Sequence, residues 1–100
     1  MSRARKVDDN QAAIVRLFRD LGAKVIDTSA VGKGMTDLVV QYRDPWKGRL
    51  ETYLVEIKDG SKPPSRRALT SAQVKFHAEF QCYIVESEKC VIDLLGIYEP

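Results

Sequence analysis

The sequence predicts an α/β protein built on a mixed sheet flanked by helices. Three observations carry that expectation. Short β-rich runs alternate with stretches of helical periodicity in the order αβββαβα, an order that calls for helices packed against one sheet. The run YLVEIKDG, residues 53–60, is apolar on both faces: Val55 and Ile57 point one way and Leu54 the other, as in a central strand. The chain has 100 residues, the size of one domain, so residues 1–100 are read as a single unit.

Each element has its own signal. Residues 7–21 read as a helix, with Ile14, Leu17, Phe18 and Leu21 on one stripe and Gly22 as the stop. Asp8 and Gln11 have the spacing of a capping box. AKVIDTS, residues 23–29, is a short strand, and AVGKGMT, residues 30–36, a turn-rich connection with two glycines. DLVVQYR, residues 37–43, is the second strand. DPWKGR then makes a hairpin turn around Pro45 and Gly48. Residues 50–58 form the third strand, antiparallel to the second. A loop follows that contains Pro63 and Pro64, residues that a helix interior and a central strand both reject. Residues 70–80 form a helix, with Thr70 and Gln73 again at capping-box spacing. CYIVES, residues 82–87, is the fourth strand. Ser87 caps a last helix on which Val91, Leu94 and Leu95 share a face, and GIYEP is a tail.

Composition narrows the function classes. Apolar residues make up 44% and charged residues 30%, as in ordinary soluble domains. No apolar run approaches the roughly 20 residues that cross a bilayer, so no membrane partner is expected. The basic start MSRARKVDDNQ is not followed by the apolar segment of a secretory signal. Cys82 and Cys90 lack a second Cys or His at ligand spacing, which argues against zinc and fits free thiols in a reducing cytoplasm. Net charge is only +2, but its distribution is uneven. Lys58, Lys62, Arg66 and Arg67 stand against one acid, Asp59, in KDGSKPPSRR, and Arg3, Arg5 and Lys6 form a second basic group. Such stretches suit a polyanion.

The chemistry concentrates at one place. Glu56 and Lys58 face the same way as Leu54 on a strand that heads for the interior, and a buried charge needs compensation. If the second and third strands form a hairpin, Asp37 at the start of one lies beside Glu56 and Lys58 at the end of the other. Two neighbouring carboxylates repel unless a cation sits between them. Mg²⁺ uses one or two carboxylates, keeps waters and accepts substrate phosphates. A nearby lysine can orient a water and neutralise anionic oxygen. An acid on one strand and E-x-K on the next, followed by a basic loop and a helix, is thus a coherent set for phosphodiester hydrolysis. Gly32, Lys33 and Gly34 add backbone N–H groups that a phosphate could approach, and Lys33, Lys62, Arg66 and Arg67 are candidate phosphate contacts. His77, the sole histidine, lies on an amphipathic helix and reads as structural.

GKGMTDLVV, YLVEIKDGSKPPSRRALTSAQ and the strand order resemble the PD-(D/E)XK nucleases, and among them the VRR-type nuclease domain in its minimal, phage-type stand-alone form. The likeness runs from about Asp8 to Val85. It implies a restriction-endonuclease-like αβββαβ core with a short C-terminal helix, and DNA cleavage dependent on Mg²⁺ or Mn²⁺, with no small-molecule cofactor. It also implies a phage or bacterial host cytoplasm as the setting. Carried over, Asp37 and Glu56 look like metal-binding carboxylates, the Ile57 carbonyl like a further metal ligand, Lys58 like the lysine that positions the nucleophile, and Gln73 like the glutamine that supports it. Two positions depart from the pattern. Thr36 stands where the family has proline before its first aspartate. The family's first-helix glutamate is matched only by Asp8, Asp9, Asn10 and Gln11.

The expectation is therefore a metal-dependent DNA endonuclease, selective for junctions, nicks or flaps and acting as a homodimer. The alternatives are a non-catalytic DNA-binding module on the same scaffold and a docking protein whose basic loop is incidental.

Overall fold

A computed structural model of the protein describes residues 8–97. Its elements are α1 (Gln11–Asp20), β1 (Lys24–Asp27), β2 (Leu38–Asp44), β3 (Arg49–Ile57), α2 (Pro64–Arg67), α3 (Ser71–Glu79), β4 (Cys82–Val85) and α4 (Glu88–Leu95). The strands form one mixed sheet in the order β1-β2-β3-β4, antiparallel at the first two junctions and parallel between β3 and β4. The expected α/β class, element order and β2–β3 hairpin are all present.

The alternation of side chains divides the sheet into two faces. Leu38, Val40 and Tyr42 on β2, Val55 and Ile57 on β3, and Val85 on β4 point into the core. There they meet Ile14 and Phe18 of α1 and Val91 and Leu95 of α4. Removing this much apolar surface from water is the main force holding the layers together. The opposite face carries Ile26, Val39, Leu54 and Cys82, in register as a row across all four strands. Among the described residues, α3 reaches this face at the end of β3, where Gln73 bonds Glu56 and Lys58. The row is bare at the β1 edge, where Ile26 is 64% exposed.

Two local differences from the sequence reading have clear causes. The first helix starts at Gln11, with Asn10 as its N-cap and no side-chain cap bond. Asp8 is joined to Gln11 only through a backbone turn, Gln11 N–H donating to the Asp8 carbonyl at 3.0 Å. The expected Asp8–Gln11 capping box is therefore not formed: the Gln11 amide instead reaches across to Asp27 Oδ2 at 3.2 Å and ties α1 to β1. Val7 and the basic group Arg3, Arg5 and Lys6 lie outside the described residues. Pro64 opens a one-turn helix, α2, within the stretch read as a loop. A proline at the first helical position loses no helical hydrogen bond and arrives with its φ already set.

The remaining boundaries follow the local chemistry. The hairpin tip is fixed by Asp44, whose Oδ1 accepts from the backbone N–H groups of Trp46 and Lys47 at 2.8 and 3.1 Å. Ser87 caps α4 by accepting from Cys90 N–H at 3.4 Å, and Gly96 closes it in the left-handed conformation. Cys82 and Cys90 are free thiols. Among the described residues no helix is long and apolar enough to cross a membrane.

Candidate functional site

The site lies where β2 begins and β3 ends. Asp37 immediately precedes β2, and its Oδ2 accepts from the backbone N–H of Ile57 at 2.8 Å. That bond welds the two strand termini and places the Asp37 carboxylate beside the Ile57 main chain. Glu56 and Lys58 flank Ile57 on the face away from the core. They are 1% and 9% exposed, far below the usual exposure of such side chains.

Gln73 connects them. Lys58 Nζ donates to Gln73 Oε1 at 3.1 Å, and Gln73 Nε2 donates to Glu56 Oε2 at 3.1 Å. The same Oε1 accepts from Thr70 N–H at 2.9 Å, while Gln73 N–H donates to Thr70 Oγ1 at 3.2 Å. The capping box expected for this helix is thus complete. One amide both starts α3 and bridges a buried cation to a buried anion.

A cleft of about 380 Å³ opens over this group, lined by Asp37, Glu56, Lys58 and Gln73 together with Asp8, Lys33 and Gly34. Asp37, Glu56, Lys58 and Gln73 thus share one cavity, whereas Ile57, assigned with them, is not among its lining residues. The loop beside it is unusual in its backbone. Gly32, Lys33 and Gly34 have φ values of +73°, +57° and +82°, and only glycine adopts that region readily. Gly34 is also required sterically, because a Cβ there would strike the backbone of Ala72 in the first turn of α3. The loop is thereby seated against the helix that carries Gln73. Thr36, just before Asp37, is fully buried. Its carbonyl accepts from Thr28 Oγ1 at 2.6 Å and its hydroxyl donates to the Leu38 carbonyl at 3.3 Å, so hydrogen bonds brace this turn.

The four candidates at the start of α1 separate by position. Asp8 lines the cleft. Burial raises its carboxyl above the ordinary range, Lys58 opposes that shift, and the Asp37 carboxylate adds to it. Asp9 is exposed and pairs with Lys62 at 3.5 Å. Asn10 Nδ2 donates to the carbonyls of Lys58 and Glu86, at 3.2 and 3.4 Å, and so fastens the ends of β3 and β4. Gln11 is turned to Asp27. Nothing in DDNQ distinguishes these roles, because the stretch straddles the start of α1 and each partner is set by tertiary contacts.

The basic candidates also separate. Lys33 is at the cleft, whereas Arg66 is exposed in the last turn of α2. Arg67 donates to Glu86 Oε2 at 2.7 Å and lines a different hollow with Asn10, Gly60 and Ser87. His77, read as structural, has its Nε2 3.8 Å from Glu56 Oε1. Burial, and secondarily Lys58, hold its pKa below the ordinary histidine value.

Among the described residues no three or more His, Cys, Asp and Glu side chains gather into a metal-ligating cluster. Asp37, Glu56 and the Ile57 carbonyl would instead offer an oxygen-only set with two carboxylates. Such a set fits a hard cation that keeps several waters and draws its other ligands from substrate. No protein-family model, curated protein or solved structure matches the chain.

Proposed function

We propose that the protein is a Mg²⁺- or Mn²⁺-dependent DNA endonuclease of the PD-(D/E)XK type, with the restriction-endonuclease-like core of the VRR-type domain. The observation that carries this reading is the chain of contacts Lys58–Gln73–Glu56, set beside the Asp37 carboxylate in one cleft. A buried acid and a buried lysine held by a shared amide, with a second buried acid beside them, are costly to keep for structure alone. They are groups that metal-assisted phosphodiester hydrolysis can use.

Asp37, Glu56 and the Ile57 carbonyl would hold the cation, which when bound supplies an activated water and stabilises charge on phosphate oxygens. The protein's own residues do the rest. Lys58 contributes a compact positive charge that orients the incoming water and offsets charge on the phosphate. Gln73 fixes the Lys58 ammonium and the Glu56 carboxylate relative to each other, so neither has to be organised during the reaction. In the hydrolysis, the water oxygen bonds to phosphorus, the bond from phosphorus to the leaving sugar oxygen breaks, and that oxygen takes up a proton. Lys33 faces the cleft as a contact for the DNA backbone, and Lys62 and Arg66 extend the positive surface. Contacts of this type fix position without reading sequence, which accords with selectivity for branched or nicked structure. A homodimer would bring two such sites to one substrate, and the bare apolar row ending at Ile26 supports association.

The test is cleavage of a panel of linear, nicked, flapped and four-way DNA substrates with Mg²⁺, Mn²⁺ or EDTA. Cleavage with either metal and none with EDTA is expected, as is loss of activity in Lys58→Ala and Asp37→Asn. The asparagine keeps an oxygen for Ile57 N–H, so the fold should persist. Full activity in either variant refutes the residue roles. Salt-sensitive binding without cleavage under any metal favours a DNA-binding module instead.

A further inference from the structure

We propose that His77 is a positioning residue for Glu56, acting on the Oε1 side of the carboxylate while Gln73 holds Oε2. Gln73 and His77 are four residues apart on α3, so they lie on the same face, one turn above the other. Gln73 Nε2 reaches Oε2 at 3.1 Å. His77 Nε2 stands 3.8 Å from Oε1, and the imidazole is only 14% exposed. That separation is about 0.8 Å longer than a usual N–H···O bond, a gap that a small rotation of the ring closes. Nε2 is buried and makes no hydrogen bond to any described residue, although buried polar nitrogens nearly always have a partner. Glu56 Oε1 is an acceptor within reach of it.

The consequence is geometric. A carboxylate gripped at one oxygen can still swing about its last torsion. Gripped at both from a single rigid helix, it presents one edge to the cleft. Groups that orient a ligating side chain in this way typically change metal affinity by about 10- to 100-fold when removed. The inference rests on the reading of Glu56 as a metal-binding group.

The experiment measures Mn²⁺ affinity by titration calorimetry at one fixed pH, without DNA, for the wild type, Glu56→Gln, His77→Ala, His77→Phe and His77→Gln. Thermal melts accompany each variant. Phenylalanine fills the space without a donor, and glutamine restores an N–H at similar reach. Binding about tenfold weaker in His77→Ala and His77→Phe is expected, with His77→Gln close to wild type. If His77→Ala does not fold, the comparison of phenylalanine with glutamine decides. Equal affinities for those two, or wild-type affinity in His77→Phe, overturn the role of His77 alone. No Mn²⁺ binding by the wild type, or binding unaffected by Glu56→Gln, overturns the metal reading of Glu56 and the role of His77 with it.

Discussion

Gln73→Ala is the perturbation that separates the two duties of one amide. Its first duty is to complete the capping box with Thr70, a contribution of about 1 kcal/mol. Its second is to hydrogen-bond Lys58 Nζ and Glu56 Oε2, both at 3.1 Å. Hydrogen bonds to charged groups are worth about 1.5–3 kcal/mol each. Direct approach of Lys58 to Glu56 after truncation would recover part of the loss. The variant should therefore be less stable by about 3 kcal/mol, which for a domain of this size lowers Tm by about 12–24 °C. Thr70→Ala removes only the cap and should cost about 1 kcal/mol, or about 4–8 °C. Thermal melts followed by circular dichroism on the two variants isolate the bridging contribution. If Gln73→Ala melts no lower than Thr70→Ala, the amide does nothing beyond starting the helix. Gln73→Glu sharpens the comparison. A carboxylate at this position still accepts from Lys58 and from Thr70 N–H, but it faces Glu56 with like charge. The pair then holds a proton more tightly when folded than when unfolded. Stability should be greatest at acid pH and fall as pH rises through the raised value of the pair.

Three further outcomes follow from the geometry. Gly34→Ala should destabilise by about 2–4 kcal/mol in urea unfolding, because it adds left-handed strain to a collision with the Ala72 backbone, whereas Gly32→Ala, with open space around its Cβ, should cost only about 1 kcal/mol. Asp8 has a carboxyl raised mainly by burial; the folded state therefore holds its proton more tightly, and stability is lost as pH rises through the raised value. Asp8→Asn should accordingly match the wild type in acid and exceed it at neutral pH in metal-free melts, and identical pH profiles would contradict this. Lys33→Ala should lower the salt dependence of DNA binding by about one phosphate contact with little change in Tm, and parallel salt slopes for variant and wild type would remove Lys33 from the interface.

Much of the fold was legible because its signals are local and redundant. The Ile14–Phe18 stripe, the Asp44–Gly48 turn, the Thr70–Gln73 spacing and the Ser87 cap each announce one element without help from the rest. The meeting of Asp37 with Glu56 and Lys58 was legible as well, since a hairpin of known turn position fixes which residues stand opposite. Where reading failed, a side chain had a distant partner that competed with the local one. Gln11 could cap with Asp8, but it bonds Asp27. Asn10 shows no helical or turn pattern, yet it joins the carbonyls of Lys58 and Glu86, contacts that depend on the parallel pairing of β3 with β4. The approach of His77 to Glu56 was hidden for the same reason, because the path of α3 over the sheet is a tertiary fact. The two uses of Gln73 meet on one side chain because α3 begins beside the end of β3, which no local pattern encodes.

The bonds that anchor α3 to the rest of the molecule are largely those that organise the cleft. Truncating the side chains that make them would loosen a whole helix along with the cleft. Replacing them with apolar residues would then require new packing above Leu54 and Ile84 to hold the helix in place. The acid–lysine–amide set is to that extent a part of how α3 is seated as well as of the cleft.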